Sequence, residues 1–180
     1  GAVPIPVEPD INTYNIDPNN IERLITKKTK AIIVVHLYGL TCDMDLIKNI
    51  ASKYSLYVFE DAAQSHGSQY KKQMAGNLSH GAAFSFFPSK NIGALGDAGI
   101  ITTNSKQLSN KIKILRNYGS SKKYFNDLVG KNSRLDELQA TFLKIRIKTI
   151  EDENSRRRIL AERYIANLSK SSVNIKLPKI

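Results

Sequence analysis

The sequence predicts an α/β fold, a mainly parallel sheet covered by helices, and three observations carry that prediction. Ala31-Ile32-Ile33-Val34-Val35 is a continuous apolar, β-branched run of the kind found in a strand buried on both faces. Asp43 stands where it can cap a helix reaching about Tyr54, with Leu46, Ile47, Ile50 and Ala51 on one stripe. Leu56-Tyr57-Val58-Phe59 reads as the next buried strand and ends in two carboxylates, Glu60 and Asp61. Strand, helix, strand at this spacing is a βαβ unit, whose two strands lie parallel.

The elements beyond follow in the same way. Lys71 and Lys72 sit in a polar connection that predicts a turn or a small hairpin. Ala82 to Phe87 reads as a strand closed by Pro88, and Gly99 to Thr103 as another. Gly93, Gly96 and Gly99 punctuate the loop between them, where they would let the backbone turn tightly. A helix from about Lys106 to Arg116 carries Leu108, Ile112 and Leu115 on one side. A second, from about Leu135 to Lys148, stacks Leu135, Leu138, Phe142 and Ile145. A third, about Asp152 to Leu168, is charged over most of its surface, and the tail after Ser169 shows no obvious packing partner.

With 180 residues, 41% of them hydrophobic, the chain can bury a core for one domain, or for one and the start of another. The net charge of +11 comes from basic residues spread from Arg23 to Lys179. Its densest run, Arg156-Arg157-Arg158, is flanked by Glu151, Asp152, Glu153 and Glu162, which suits a solvated helix face better than a nucleic-acid surface. Such an excess also suits a negatively charged small substrate. The single cysteine, Cys42, excludes an intrachain disulfide and fits a reducing compartment. It has no cationic neighbour in sequence to activate it. No signal peptide is read at Gly1 to Pro6, and no apolar run is long enough for a bilayer, so a soluble cytoplasmic protein is expected. His36, His66 and His80 lack metal-ligand spacing, so no metal site is expected. For His66 a packing and hydrogen-bonding role is expected.

Ligands of open parallel sheets bind at the carboxyl ends of the strands. Asp61 lies at one such end, and Ser85 through Lys90 at another. The segments Glu60-Asp61-Ala62-Ala63-Gln64-Ser65-His66-Gly67 and Phe84-Ser85-Phe86-Phe87-Pro88-Ser89-Lys90-Asn91-Ile92-Gly93-Ala94-Leu95-Gly96-Asp97-Ala98-Gly99 go further. Together they resemble the DegT/DnrJ/EryC1/StrS family of sugar aminotransferases, which are fold-type-I pyridoxal-phosphate enzymes. The spacing of aspartate and lysine (90 − 61 = 29) is similar too. Val35-His36-Leu37-Tyr38-Gly39, Arg116-Asn117-Tyr118-Gly119 and Asn132-Ser133-Arg134-Leu135-Asp136-Glu137-Leu138-Gln139-Ala140 extend the resemblance from about Val3 to Leu168.

The resemblance implies a role for each matching residue. Lys90 would hold pyridoxal 5'-phosphate as a Schiff base, which needs an amine neutral often enough to attack an aldehyde. The freed amine would then move a proton at the substrate carbon. Asp61 would pair with the pyridinium nitrogen and keep the ring an electron sink. Gln64 would lie near the cofactor ring oxygen, Ser85 would bind the phosphate, and Asn132 would reach the phosphate of a neighbouring subunit, implying a homodimer. Residues 1–150 would form the cofactor-binding large domain, incomplete at its N-terminus. Residues 151–180 would form a helix leading into a small C-terminal domain, also incomplete, since both ends look like cuts through a larger protein.

The expected activity is transfer of an amino group, from glutamate, to a nucleotide-linked keto sugar. Lysine at position 90 argues against the family's dehydratase variant, which carries histidine there. The loop Gly93 to Gly99 is more similar to members acting on 3-keto-6-deoxy sugars than to those acting at carbon 4. The alternative is a truncated, non-catalytic relative serving as a binding or assembly module. A basic nucleic-acid-binding domain ranks last, because the aromatic residues are not interleaved with the basic ones.

Overall fold

A computed structural model describes residues 1–172 and 175–177. β1 (Ala31–Val35), α1 (Met44–Lys53) and β2 (Tyr57–Asp61) form the expected βαβ unit. The Asp43 carboxylate accepts from the Leu46 N–H at 3.3 Å and so caps α1. β1 and β2 pair in parallel with Val35 opposite Asp61. β3 (Gln69–Tyr70) and β4 (Gln73–Met74) are the predicted hairpin. Lys71 and Lys72 both adopt left-handed backbone there, which gives the twist a two-residue hairpin turn requires. β5 (Gly81–Ser85) lies parallel to β2, with Ala83 opposite Asp61. β6 (Gly99–Thr102) returns antiparallel along β5, so the sheet order is β1-β2-β5-β6 and only its last strand runs backwards.

One face of this sheet makes the main core. Ile32, Val34 and Val58 are buried with Met44, Ile47 and Ala51 of α1, and Ile21, Cys42, Leu56 and Leu78 complete the cluster. The apolar runs of β1 and β2 predicted burial on both faces, and here the structure differs. Ile33 is 66% exposed, and Val35 and Tyr57 are exposed as well. The reason is coverage. On that side α2 (Lys106–Leu115) packs by Leu108 close to Gly81 of β5, and the edge strand β1 has no helix over it among the described residues.

After α2 the chain forms a small hairpin that the sequence reading missed, β7 (Ser120–Lys122) and β8 (Phe125–Asn126). α3 (Glu137–Arg146) then runs through a 3-10 turn at Ile147–Thr149 into α4 (Ile150–Leu168). The predicted stripe on α3 is rotated, for Leu138 is 83% exposed and Ile145 is exposed too. Leu143 faces inward instead, joining Phe86, Ile92 and Ala94, with Leu135 and Ile150 packed around them. Leu135 lies before the helix begins, and within α3 the inward side runs from the polar Gln139 to Leu143, four positions on. On α4, Arg157 and Arg158 pair with Glu153 and Glu151, as expected of a solvated face. In the tail, the Lys176 ammonium donates to the Ile11 carbonyl at 3.3 Å, a partner the sequence did not suggest.

Candidate active site

Side chains alternate along a strand, so β2 sends Phe59 and Asp61 to one face and Val58 and Glu60 to the other. Ala83 stands opposite Asp61, and Ser85 follows two residues on, on the same face. Asp61 and Ser85 therefore line one cleft of ≈ 470 Å³, whose walls include Ile33, Phe59, Ile101 and Ile112. Gln64, Lys90 and Asn132 lie outside that lining, each on a connection beyond the strand ends.

Local hydrogen bonds fix what each polar group has left to offer. Asp61 Oδ1 accepts from the Ala63 N–H at 3.0 Å, which leaves Oδ2 as an acceptor. Ser85 Oγ accepts from the Phe87 N–H at 3.2 Å, so its O–H is available to donate. Gln64 Oε1 accepts from the Tyr38 N–H at 2.7 Å, which turns its Nε2 into the donating end. Asn132 Oδ1 accepts from the Arg134 N–H at 3.4 Å and the residue is exposed, next to its backbone bridge with Asn117. A carboxylate acceptor and a hydroxyl donor on one apolar-walled cleft, with an amide donor on the connection beyond β2, fit a cofactor with a protonated ring nitrogen, a ring oxygen and a phosphate.

The segment carrying Lys90 is a closed loop. Phe86 N–H donates to the Ala98 carbonyl and Ala94 N–H to the Phe86 carbonyl, both at 2.8 Å, and Lys90 N–H donates to the Phe87 carbonyl at 2.9 Å. Lys90 itself is half-buried. The glycines here were expected to permit tight turns, but none of Gly93, Gly96 and Gly99 has left-handed backbone. Their lack of a side chain serves close approach instead. A Cβ on Gly93 would stand 2.3 Å from the Pro88 carbonyl oxygen, and one on Gly99 2.9 Å from that of Phe84. Gln139 of α3 ties this loop down, its Oε1 accepting from the Leu95 N–H at 2.9 Å.

His66 is 4% exposed, its ring packed against Phe84 and Phe86 at centroid distances of 5.4 and 5.6 Å. Packing was expected and is found. The hydrogen bonding is not, since neither ring nitrogen has a partner among the described residues. Burial lowers the His66 pKa, the Ser85 backbone opposes this without reaching hydrogen-bond geometry, and the charge of Lys90 lowers it further. Lys90 and His66 are thus near enough to influence each other.

Behind Asp61, on the opposite face, lies a polar cluster that the sequence reading did not find. The Glu60 carboxylate accepts from the Gly76 and Leu78 N–H groups at 2.6 and 2.9 Å and from Ser79 Oγ at 2.9 Å. His36 Nε2 also meets it, while His36 Nδ1 accepts from the Cys42 N–H at 3.2 Å. That second bond sets the tautomer, placing the proton on Nε2. Burial acts to raise the Glu60 pKa, but His36, Gly76, Ser79 and Leu78 together outweigh it and hold the carboxyl below its ordinary range. Only the alternation of side chains along β2 could have separated Glu60 from the site, since its sequence neighbour Asp61 carries the same charge.

No group of three or more His, Cys, Asp or Glu side chains that could hold a metal ion occurs among the described residues. Among them, too, no helix is long and apolar enough to cross a membrane.

Comparison with known proteins agrees with this geometry. The dTDP-3-amino-3,6-dideoxy-alpha-D-galactopyranose transaminase of Aneurinibacillus thermoaerophilus is 54% identical over 175 residues, 97% of this chain and 48% of that protein. The X-ray structure of DesV from S. venezuelae matches with a TM-score of 0.92 and 41% identity, over 99% of this chain and 49% of that one. NtdA from Bacillus subtilis, solved with bound cofactor PMP, matches with a TM-score of 0.87 and 38% identity, over 93% of this chain and 38% of that one. The chain spans about half the length of the curated relatives it matches. The family model for the DegT/DnrJ/EryC1/StrS aminotransferases matches residues 1–179, and with fold, motif and relatives agreeing over the same residues the chain belongs to that family.

Proposed function

We propose that the whole protein is a pyridoxal-phosphate-dependent aminotransferase that moves an amino group, from glutamate, to a nucleotide-linked keto-deoxy sugar. The observation that carries this reading is the convergence of Asp61 and Ser85 on one apolar-walled cleft, each with the right hydrogen-bonding capacity left over. When bound, pyridoxal phosphate supplies the electron sink that stabilises negative charge developing at the carbon gaining or losing nitrogen. Asp61 Oδ2 would hold the ring-nitrogen proton in place. Ser85 would donate to the phosphate, and Gln64 Nε2 would donate to the ring oxygen. Lys90 would supply the amine that holds the cofactor and, as a free amine, would carry the proton at the substrate carbon. Ile33, Phe59 and Ile101 keep water from the cleft floor.

A 3-keto-6-deoxyhexose is the favoured substrate, in keeping with a relative named for a 3-amino-3,6-dideoxy sugar and with the Gly93 to Gly99 loop. The active unit is a homodimer, with the exposed Asn132 donating to the partner's phosphate site. Residues 1–150 form the cofactor-binding unit and 151–180 lead into a second domain. A buried, unpaired Cys42 suits the cytoplasm.

The test is borohydride reduction of the whole protein loaded with pyridoxal phosphate, followed by peptide mapping. A reduced adduct on Lys90, lost in K90A, is expected. Turnover with glutamate should be faster for 3-keto than for 4-keto nucleotide sugars. Failure to find any adduct would reject the enzyme reading in favour of a non-catalytic binding or assembly module.

A further inference from the structure

We propose that Asn154, near the start of α4, is a positioning residue for Lys90. It would do so by clamping the loop after Asp61 to the loop that carries Lys90. This inference rests on the pyridoxal-phosphate reading above, and it concerns a residue outside the motifs that identify the site.

The amide of Asn154 is used on both sides. Its Nδ2 donates to the His66 carbonyl at 2.8 Å, which belongs to the loop that follows Asp61 and carries Gln64. Its Oδ1 accepts from Asn91 Nδ2 at 3.1 Å, and Asn91 is the neighbour of Lys90. Arg157 Nη1 donates to the same Oδ1 at 3.3 Å and fixes which end of the amide faces which loop. Arg157 is in turn held by Glu153, which pairs with Arg146 at 2.9 Å and accepts from Thr149 Oγ1 at 2.9 Å. The clamp therefore has a braced base on the first turns of α4.

Backbone geometry supports the same role. Gly67 has φ +83°, and a Cβ there would stand 2.7 Å from Asn154 Nδ2. The chain thus turns through a left-handed glycine where the amide presses against it. Four residues along the lysine loop Gln139 binds Leu95, so two side-chain amides from α3 and α4 hold that loop at two points. Asn154 alone also touches the Asp61 loop. Without it, the packing of His66 against Phe84 and Phe86 remains, but no side-chain amide spans the two segments at that point. A freed amine on a loop that wanders meets its cofactor and substrate less often in the productive geometry.

The experiment compares the whole holo-protein with N154A, N154D and the exposed control S155A. Three readings are taken: cofactor loss on dialysis, the pH titration of the bound-cofactor absorbance, and kcat against KM. N154A removes the clamp. N154D keeps the side-chain volume and the acceptor contacts but sets an oxygen against the His66 carbonyl. Both should lose cofactor about tenfold faster, the worth of one good hydrogen bond. Both should also shift the absorbance titration and lower kcat with little change in the KM for the amino donor. S155A should match the unsubstituted protein. If N154A does not fold, N154D carries the comparison alone. A normal cofactor band that folded N154 variants leave unmoved, with unchanged retention, overturns the role of Asn154 only. No cofactor band in the unsubstituted protein overturns the pyridoxal-phosphate reading and this inference with it.

Discussion

The His36 imidazole and the Glu60 carboxylate meet at 3.1 Å with neither side chain exposed, directly behind the strand that presents Asp61. Removing one member of such a pair strands the other. Glu60→Ala also orphans the Gly76 and Leu78 N–H groups, so destabilisation by about 3 kcal/mol or more is expected from urea unfolding. Because the folded Glu60 pKa lies below its unfolded value of 4.5, its contribution is complete above that pH. It is lost as the pH falls through the folded pKa. An acid limb in the stability profile that persists unchanged in Glu60→Ala would refute this account.

His66 responds to acid with the same sign by a different route. Its folded pKa lies below 6.5, so the unfolded chain takes up the proton first and stability drops as the pH falls below that value. His66→Leu removes both the titration and two unpartnered buried nitrogens. Its Tm relative to the natural sequence should rise progressively between pH 8 and pH 5, values bracketing that pKa by roughly one to two units. A difference that is flat or reversed over this range counts against a buried neutral imidazole.

Cys42 is expected to be chemically silent. Burial pushes its thiol up to about 12, and Sγ donates to the Val35 carbonyl at 3.2 Å. A thiol reagent at neutral pH should therefore label the chain only in denaturant. Rapid labelling of the folded protein would show that the segment around Cys42 opens.

Gly93→Ala tests the loop that carries Lys90. The new methyl group would collide with the Pro88 carbonyl, which is backbone and cannot swing aside. A loss of roughly 1–3 kcal/mol is expected, with weaker cofactor retention than in Gly96→Ala. At Gly96 the nearest atom is the flexible end of Gln139, 3.2 Å away. Equal behaviour of the two variants in denaturation and dialysis would mean the collision is relieved elsewhere.

Much of this architecture was legible because its signals are local. Ala31 to Val35, the Asp43 cap and the run ending at Asp61 each announce themselves within a few residues, and their order implies the parallel pairing. What escaped depends on distant chain. Exposure of Ile33 follows from which helices cover the sheet, and the inward turn of Leu143 from where α3 meets the lysine loop. The β7–β8 hairpin lacks an apolar alternation, its left-handed corner falling on Tyr124 rather than on a glycine. For the site, the motif pointed to Asp61 and Ser85, and the structure brings those two to one cleft. Asn154 carried no sequence signal, and Gln139, though within a quoted motif, carried none of its role, because an amide on a helix surface becomes a clamp only through what it faces.

The antiparallel return of β6 along β5 bears on the order of folding. The loop carrying Lys90 is stapled at its base by Phe86 to Ala94 and Ala98, contacts between near neighbours in the chain. The Asn154 contacts span 63 and 88 positions. Short closures cost little chain entropy and form early, while long ones wait for the rest of the sheet. The lysine would therefore acquire its local shape first and its final orientation last, when α4 docks.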